Sequence, residues 1–269
     1  MNPFEFEFMQ RAFVACTVIA AVAPLVGSFI VQRGQSLVGD GMGHVAFAGV
    51  GMAFLVGAEP VLGALAFTAM AGLLLVRMGR AGLAGDLAIA LIFYGGIAVG
   101  YLFASRANAG QSRLVGLLFG SPLNLTWPEV WVIVGLAATV LVVTLALYPR
   151  LVAMAFDEEA ARVAGVPTDR IILALTLMVA LVVVGGMSSI GLLLISAMMV
   201  VPVAAAAQLA SSYRGALALA SGIGAASAVV GLLGAHYQDY APGSAIVLVA
   251  IACYIAATMW HTVTRQARA

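Results

Sequence analysis

Apolar runs of about twenty residues recur along the whole chain, and this is the length that an α-helix needs to cross the hydrocarbon core of a bilayer. They cover residues 12–32, 36–57, 60–76, 87–105, 130–149, 171–187, 190–209, 215–234 and 244–262. Of the 269 residues, 64% are hydrophobic and 9% are charged. Soluble domains carry about 25% charged residues. We therefore predict an all-α fold, a polytopic membrane bundle of about eight to nine transmembrane helices.

The number of spans depends on residues 171–209, where only Met187–Ser189 separates two apolar runs. One broken helix, and hence eight spans, is the alternative. Small residues four apart, such as Gly39 and Gly43, indicate that helix backbones approach one another closely in lipid. No linker or low-complexity segment divides the sequence, so residues 1–269 are expected to form a single transmembrane domain.

The arginines predict how the bundle is oriented. With the N-terminus outside, the inner side receives Arg33, Arg77, Arg80, Arg150, Arg162, Arg170, Arg214, Arg265 and Arg268. The outer side receives Arg11, Arg106 and Arg113. This excess of arginine on one side favours an N-terminus outside and a C-terminus in the cytoplasm under the positive-inside rule. The N-terminus lacks the basic start of a signal peptide, so the first apolar run is expected to remain as a span.

The sequence contains no lysine. A phosphate-binding loop of the form GxxxxGK[ST] needs a lysine to reach the nucleotide phosphates. ATP hydrolysis by that route is therefore excluded for this chain, and any ATP-driven motor must be a separate polypeptide.

An aspartate and a histidine interrupt the second apolar run, in the stretch SLVGDGMGHVAFAGVGMAF. An ionised carboxylate within a membrane is costly and usually marks a pathway or a paired site. Residues four apart lie on one face of a helix, so Asp40 and His44 can present oxygen and nitrogen to the same point. These donors suit zinc, manganese or iron(II). A packing hydrogen bond between the two side chains, or a helix that begins later and is capped by Asp40, are the alternatives.

The longest polar stretch, MAFDEEAARVAGVPTDR, lies between two spans. Asp157 is a suitable N-cap, and Glu158 and Glu159 lie in the first turn, where the helix dipole favours negative charge. Gly165 supplies a left-handed stop. The pattern predicts a short helix at about residues 155–166, which is either a solvated connector or a docking helix for a cytoplasmic partner.

Four segments together resemble one family. GDGMGHVAFAGVGMAF is similar to its GDxxxHxxxxGVAxAF signature, and FDEEAARVAGVP is similar to its coupling segment. GLLLISAMMVVPVAAA and HYQDYAPGSAIVL resemble two further motifs, in the same order and at the same spacing. The family is that of the permease subunits of zinc, manganese and iron ABC importers.

The resemblance implies a multi-pass permease of the plasma membrane and not an enzyme. It implies a homodimer, a pair of cytoplasmic ABC ATPase subunits and an extracytoplasmic metal-binding protein. The coupling residues implied are Asp157, Glu158, Glu159, Ala161 and Gly165. No permanently bound cofactor is expected, only a transported metal ion. Zinc is the favoured ion because of its share of the family, with manganese and iron(II) as alternatives.

The same resemblance places Asp40, His44 and Asp239 on the ion path, and His236 is a candidate fourth ligand. Asp86 is interpreted as a helix cap on the cytoplasmic side. Some zinc-type members carry a histidine where this chain has Tyr94, which weakens the case for a second imidazole ligand.

Two other functions remain open. A siderophore- or vitamin-type ABC permease would share the fold, but its large organic cargo does not need an aspartate–histidine pair. A secondary metal transporter, driven by an ion gradient, would not need the docking segment.

Overall fold

The computed structural model describes residues 5–83, 85–106, 116–238 and 240–266, and every long element within those ranges is an α-helix. The helices are α1 (Glu7–Gln32), α2 (Val38–Val56), α3 (Pro60–Arg80), α4 (Gly85–Arg106), α5 (Trp127–Phe156), α6 (Glu158–Val163), α7 (Thr168–Met187), α8 (Leu192–Leu209), α9 (Tyr213–Gln238) and α10 (Pro242–Gln266). A 3₁₀ turn, Pro122–Asn124, precedes α5.

Nine of the helices in the described ranges are long and apolar enough to cross a membrane, and α6 is the short exception. The predicted all-helical membrane bundle is confirmed. Residues 171–209 contain two separate helices, α7 and α8, and not one broken helix. Successive long helices run in opposite directions, so α1, α3, α5, α8 and α10 all end at the end of the bundle that carries α6. We call this the α6 end.

Four helices form the centre of the bundle. Two-thirds of the residues in the apolar windows of α1, α2 and α7 are buried, and half of those in α8. Less than a third are buried in α3, α4, α5 and α10, which therefore lie on the outside. Since lipid is as apolar as the side chains, close packing and not hydrophobicity decides which helices are central.

The approach of α2 to α8 illustrates this packing. A Cβ atom on Gly43 would lie 3.0 Å from the carbonyl oxygen of Leu192, and one on Gly39 would lie 2.5 Å from the side chain of Met199. The two glycines predicted to allow close packing therefore do so here, where α2 crosses α8.

The turn between α7 and α8 is buried inside the protein. Ser189 and Ile190 have no exposed surface, and the backbone N–H of Ser121 donates to the carbonyl of Ser188 at 3.1 Å. Gly191 adopts φ +108°, and a Cβ there would lie 2.4 Å from the carbonyl carbon of Phe119. The segment before α5 therefore covers this turn, so that α8 begins within the bundle and not in solvent.

Candidate functional site

Asp40 lies in the first turn of α2 and its side chain is half-buried. The hydroxyl of Ser196, on α8, donates a hydrogen bond to Oδ1 of Asp40. Ser196 is 3% exposed, so this bond is shielded from solvent on its α8 side. The helix begins at Val38 with Leu37 at its N-cap. Asp40 is therefore inside the helix, and the alternative in which it caps a later helix is wrong.

His44 lies one helical turn after Asp40 and is also half-buried. Its ring meets Phe93 of α4 edge-on, with the ring centroids 4.7 Å apart. The two helices are close at this level, since a Cβ on Gly96 would lie 2.9 Å from the backbone nitrogen of Val45. Both side chains are described, and neither a hydrogen bond nor an ion pair joins Asp40 to His44. The imidazole and the carboxylate are each held by a neighbouring helix.

A cavity of about 430 Å³ lies between the starts of α2 and α4. Its wall includes Asp40, Asp86, Phe93 and Tyr94. Asp86 lies in the first turn of α4, which begins at Gly85. Like Asp40 it is inside its helix, so its interpretation as the cap of α4 is wrong. The structure places Asp86 on the same wall as Asp40. Two carboxylates on one cavity create a negative potential that attracts a divalent cation.

The other two predicted ligands are less well defined. Asp239 lies outside the described residues. His236, at the end of α9, has its ring 6.4 Å from that of Phe6 and 5.3 Å from that of Tyr237. Within the described ranges, no three His, Cys, Asp or Glu side chains come together as a metal-binding group. The structure therefore does not join His236 to Asp40 and His44, and the ligand set remains a prediction.

The coupling segment forms the local structure that its sequence predicts. Oδ1 of Asp157 accepts from the backbone N–H of Ala160 at 2.8 Å, which caps α6. Gly165 adopts φ +84°, so the predicted left-handed stop is present. Helix α6 is shorter than the predicted range of residues 155–166, because α5 continues through Phe156. Ala161 is buried at 5% exposure, whereas Val163 is 90% exposed.

Two residues that were not predicted from the sequence contact these predicted sites. Ser196 is a polar residue in an otherwise apolar motif, and that contrast is a usable signal. Arg33, whose Nη2 donates to Oε2 of Glu158 at 2.8 Å, carried no signal beyond its charge. Each lies more than a hundred residues from its partner in sequence, 156 for Ser196 and 125 for Arg33.

A bundle of apolar, membrane-length helices that carries a carboxylate and an imidazole on a central helix, with a cavity beside the carboxylate, has the features of a membrane transport protein.

Comparison with known proteins gives the same class. The model of the ABC 3 transport family matches residues 5–261. The manganese import system permease protein ScaB of Streptococcus gordonii is 33% identical over 245 residues, 91% of this chain and 88% of that protein. The manganese transport system membrane protein MntC of Listeria monocytogenes is 29% identical over 258 residues, 95% of this chain and 91% of that protein. The structure of PsaBC from Streptococcus pneumoniae, in complex with a Fab, matches with a TM-score of 0.86 and 30% identity, over 94% of this chain and 92% of that chain.

The chain belongs to the ABC 3 transport family. It is a multi-pass membrane permease of the metal ABC importers, and a transport protein rather than an enzyme. The family resemblance that the four sequence segments indicate is confirmed.

Proposed function

We propose that this chain is the permease of an ATP-driven manganese(II) importer, and that Asp40 and His44 hold the ion during its passage. The observation that carries the proposal is the position of the two side chains on one face of α2, with Asp40 on the wall of a cavity that Asp86 shares. Asp239 and His236 complete the proposed ligand set.

Manganese is preferred to zinc for two reasons. The relatives ScaB and MntC, which match over nearly their full length, are named for manganese import or transport, whereas no finding supports zinc, the ion favoured from the sequence. Carboxylate and hydroxyl oxygens predominate around Asp40, and oxygen ligands suit manganese, while thiolates select softer ions. Iron(II) shares these preferences and is the ion to test beside manganese.

Transport requires that the ion site open alternately to the two sides of the membrane. The energy is proposed to come from a pair of ABC ATPase subunits that dock on α6 through the segment from Asp157 to Gly165. Two copies of the chain form the complex, and an extracytoplasmic binding protein delivers the ion. The α6 end then faces the cytoplasm, with the N-terminus outside, in the plasma membrane.

The test is manganese uptake into liposomes that contain the chain and its ATPase. Asp40→Asn and His44→Ala are compared with Asp169→Asn and His261→Ala, which change the same residue types away from the cavity. We expect the first two variants to assemble with the ATPase and to lose uptake, and the control variants to retain it. Uptake at the wild-type rate by Asp40→Asn and His44→Ala would show that the pair is a packing feature. Parallel assays with zinc and iron(II) identify the preferred ion.

A further inference from the structure

One arginine is buried at the α6 end of the bundle. Arg33 directly follows α1, and its side chain is 10% exposed. Nη2 donates to Oε2 of Glu158 at 2.8 Å and Nε donates to Oε1 of Gln35 at 3.3 Å. Nη1 is buried without a hydrogen-bond partner. A buried charge needs a compensating partner, and for Arg33 the carboxylate that provides it is on α6.

The carboxylate of Glu158 is also linked to α7, through the side chain of Arg162. Oε1 of Glu158 accepts from Nη2 of Arg162 at 3.2 Å, and Nε of Arg162 donates to the hydroxyl of Thr168 at 3.2 Å. Thr168 is the first residue of α7 and is 4% exposed. The short helix α6 is therefore joined by side-chain contacts to the end of α1 and to the start of α7. A shift of α6 would change these contacts.

The contacts of Arg33 also extend toward the proposed ion site. It is the first residue of the connector between α1 and α2, and Gly34 in this connector adopts φ +70°. Gln35, which Arg33 holds, lies on the wall of a cavity of about 640 Å³ together with Glu158. Gln35 also lies on the wall of the 430 Å³ cavity that contains Asp40. A continuous series of contacts therefore runs from Glu158 through Arg33 and Gln35 to the cavity beside Asp40.

We propose that Arg33 is a positioning residue that transmits the movement of α6 to the ion-binding helix α2. This inference rests on the proposed function. When the ATPase displaces α6, Glu158 moves Arg33 and the connector with it, and α2 shifts against α8 at the contact between Asp40 and Ser196. Arg33 is not one of the proposed ion ligands and binds Glu158 and Gln35, so its loss should reduce the transport obtained from each ATP hydrolysed without removing an ion ligand.

A second ion pair at the same end of the bundle supplies a matched control. Nη2 of Arg80 lies 2.7 Å from Oδ2 of Asp169, and both residues line the 640 Å³ cavity. Their side chains are 62% and 44% exposed. Because an exposed pair is hydrated and contributes little, Arg80→Gln removes an arginine of the same cavity without leaving a buried charge unpaired.

The experiment measures manganese ions taken up per ATP hydrolysed in liposomes that contain the chain and its ATPase. The variants are Arg33→Gln, Glu158→Gln, their double variant, Arg33→Lys and Arg80→Gln. For Arg33→Gln we expect ATP hydrolysis close to wild type and a ratio lowered about tenfold, within the range of coupling between sites. Glu158→Gln should lower the ratio by a similar factor, and it is compared on the ratio alone because Glu158 also belongs to the proposed docking segment. The ratio in the double variant should be no lower than in either single variant, since all three lack the same ion pair. Arg33→Lys should recover much of the ratio, and Arg80→Gln should leave it unchanged.

A wild-type ratio in Arg33→Gln overturns the inference, and so does a double variant in which the two single losses multiply. If Arg33→Gln does not assemble, Glu158→Gln provides the same test, because it removes the charge from the other side of the same ion pair; a wild-type ratio in Glu158→Gln then overturns the inference. Failure of the proposed function is distinguishable, because wild-type liposomes would then hydrolyse ATP without accumulating manganese.

Discussion

At the residue scale, the central contact of the proposed ion site is the hydrogen bond from Ser196 to Asp40. A carboxylate that is half-buried among apolar helices loses part of its hydration, and a hydrogen-bond donor that faces it compensates for that loss. Ser196 is almost fully buried and donates across the interface between α2 and α8. The bond therefore sets the direction of the Asp40 carboxylate and also joins the two helices that carry the proposed site.

We predict that Ser196→Ala raises the manganese concentration needed for half-maximal uptake by at least about tenfold. This corresponds to the loss of one hydrogen bond to a charged group, about 1.5–3 kcal/mol. Ser196→Thr keeps the hydroxyl and should restore most of the affinity. The measurement is the dependence of the uptake rate on manganese concentration.

The control for this prediction is Ser227→Ala. Ser227 is equally buried, but its hydroxyl donates at 2.7 Å to the carbonyl of Ile223 within its own helix. It should leave the half-maximal concentration unchanged. A similar rise in both variants would mean that Ser196 acts on stability and not on Asp40.

At the element scale, close contact between glycines determines where α2 crosses α3. A Cβ on Gly49 would lie 2.2 Å from the carbonyl oxygen of Gly63, and one on Gly63 would lie 2.4 Å from that of Gly49. Both obstacles are backbone atoms, which cannot rotate away. At this crossing, only glycine fits at position 49 of α2 and at position 63 of α3.

We predict that Gly49→Ala destabilises the protein by about 1–3 kcal/mol or more, the usual cost of overpacking. Gly222→Ala is the matched control, because nothing lies within 4 Å of a Cβ at Gly222. It should be neutral or stabilising by up to about 1 kcal/mol, because alanine has the higher helix propensity. Thermal unfolding in detergent measures both. Equal melting temperatures for the two variants would contradict the packing described here.

The exposed face of α6 is the second feature at this scale. Val163 is 90% exposed at the end of the helix, although it is apolar. If the ATPase docks on α6 as proposed, this side chain is covered in the complex.

We predict that Val163→Asp weakens binding of the ATPase by about tenfold or more, as for the loss of an interface anchor, and leaves thermal stability unchanged. Binding is measured by titrating the ATPase against the chain in nanodiscs. Ser211→Asp adds the same charge at an exposed position between α8 and α9, also at the α6 end, and should not weaken binding. If both variants weaken it equally, general charge repulsion and not α6 is responsible.

At the scale of the whole molecule, orientation follows from where the connectors lie. Ala58 lies between α2 and α3, at the end opposite α6, and Ser211 lies at the α6 end; both are exposed. If the α6 end is cytoplasmic, these two positions face opposite sides of the membrane.

We predict that Ala58→Cys reacts with a membrane-impermeant maleimide in intact cells, and that Ser211→Cys reacts only after the membrane is permeabilised. The background replaces Cys16 and Cys253, the two free cysteines, by alanine. The reverse pattern of labelling would place the N-terminus in the cytoplasm and the ATPase-docking face outside, which would also refute the proposed role of α6.

The helices, their location in a membrane and the local structure of α6 can all be predicted from the sequence. Apolar runs of bilayer length must form helices, because a backbone in lipid has to satisfy its own hydrogen bonds. The cap at Asp157 and the stop at Gly165 depend on neighbours within a few residues. The placement of Asp40 and His44 on one face follows from the period of the helix alone.

The contacts that these residues make depend instead on how the helices pack together. The contacts of Ser196 with Asp40 and of Arg33 with Glu158 join segments that are distant in sequence. The cavity wall that Asp86 shares with Asp40 does so as well. The turn between α7 and α8 is likewise buried by a segment distant in sequence, the residues before α5. Helices that are apolar on every side carry no hydrophobic stripe to show which face turns inward. The choice between faces therefore depends on close packing and a few polar contacts, and these exist only once the helices are assembled.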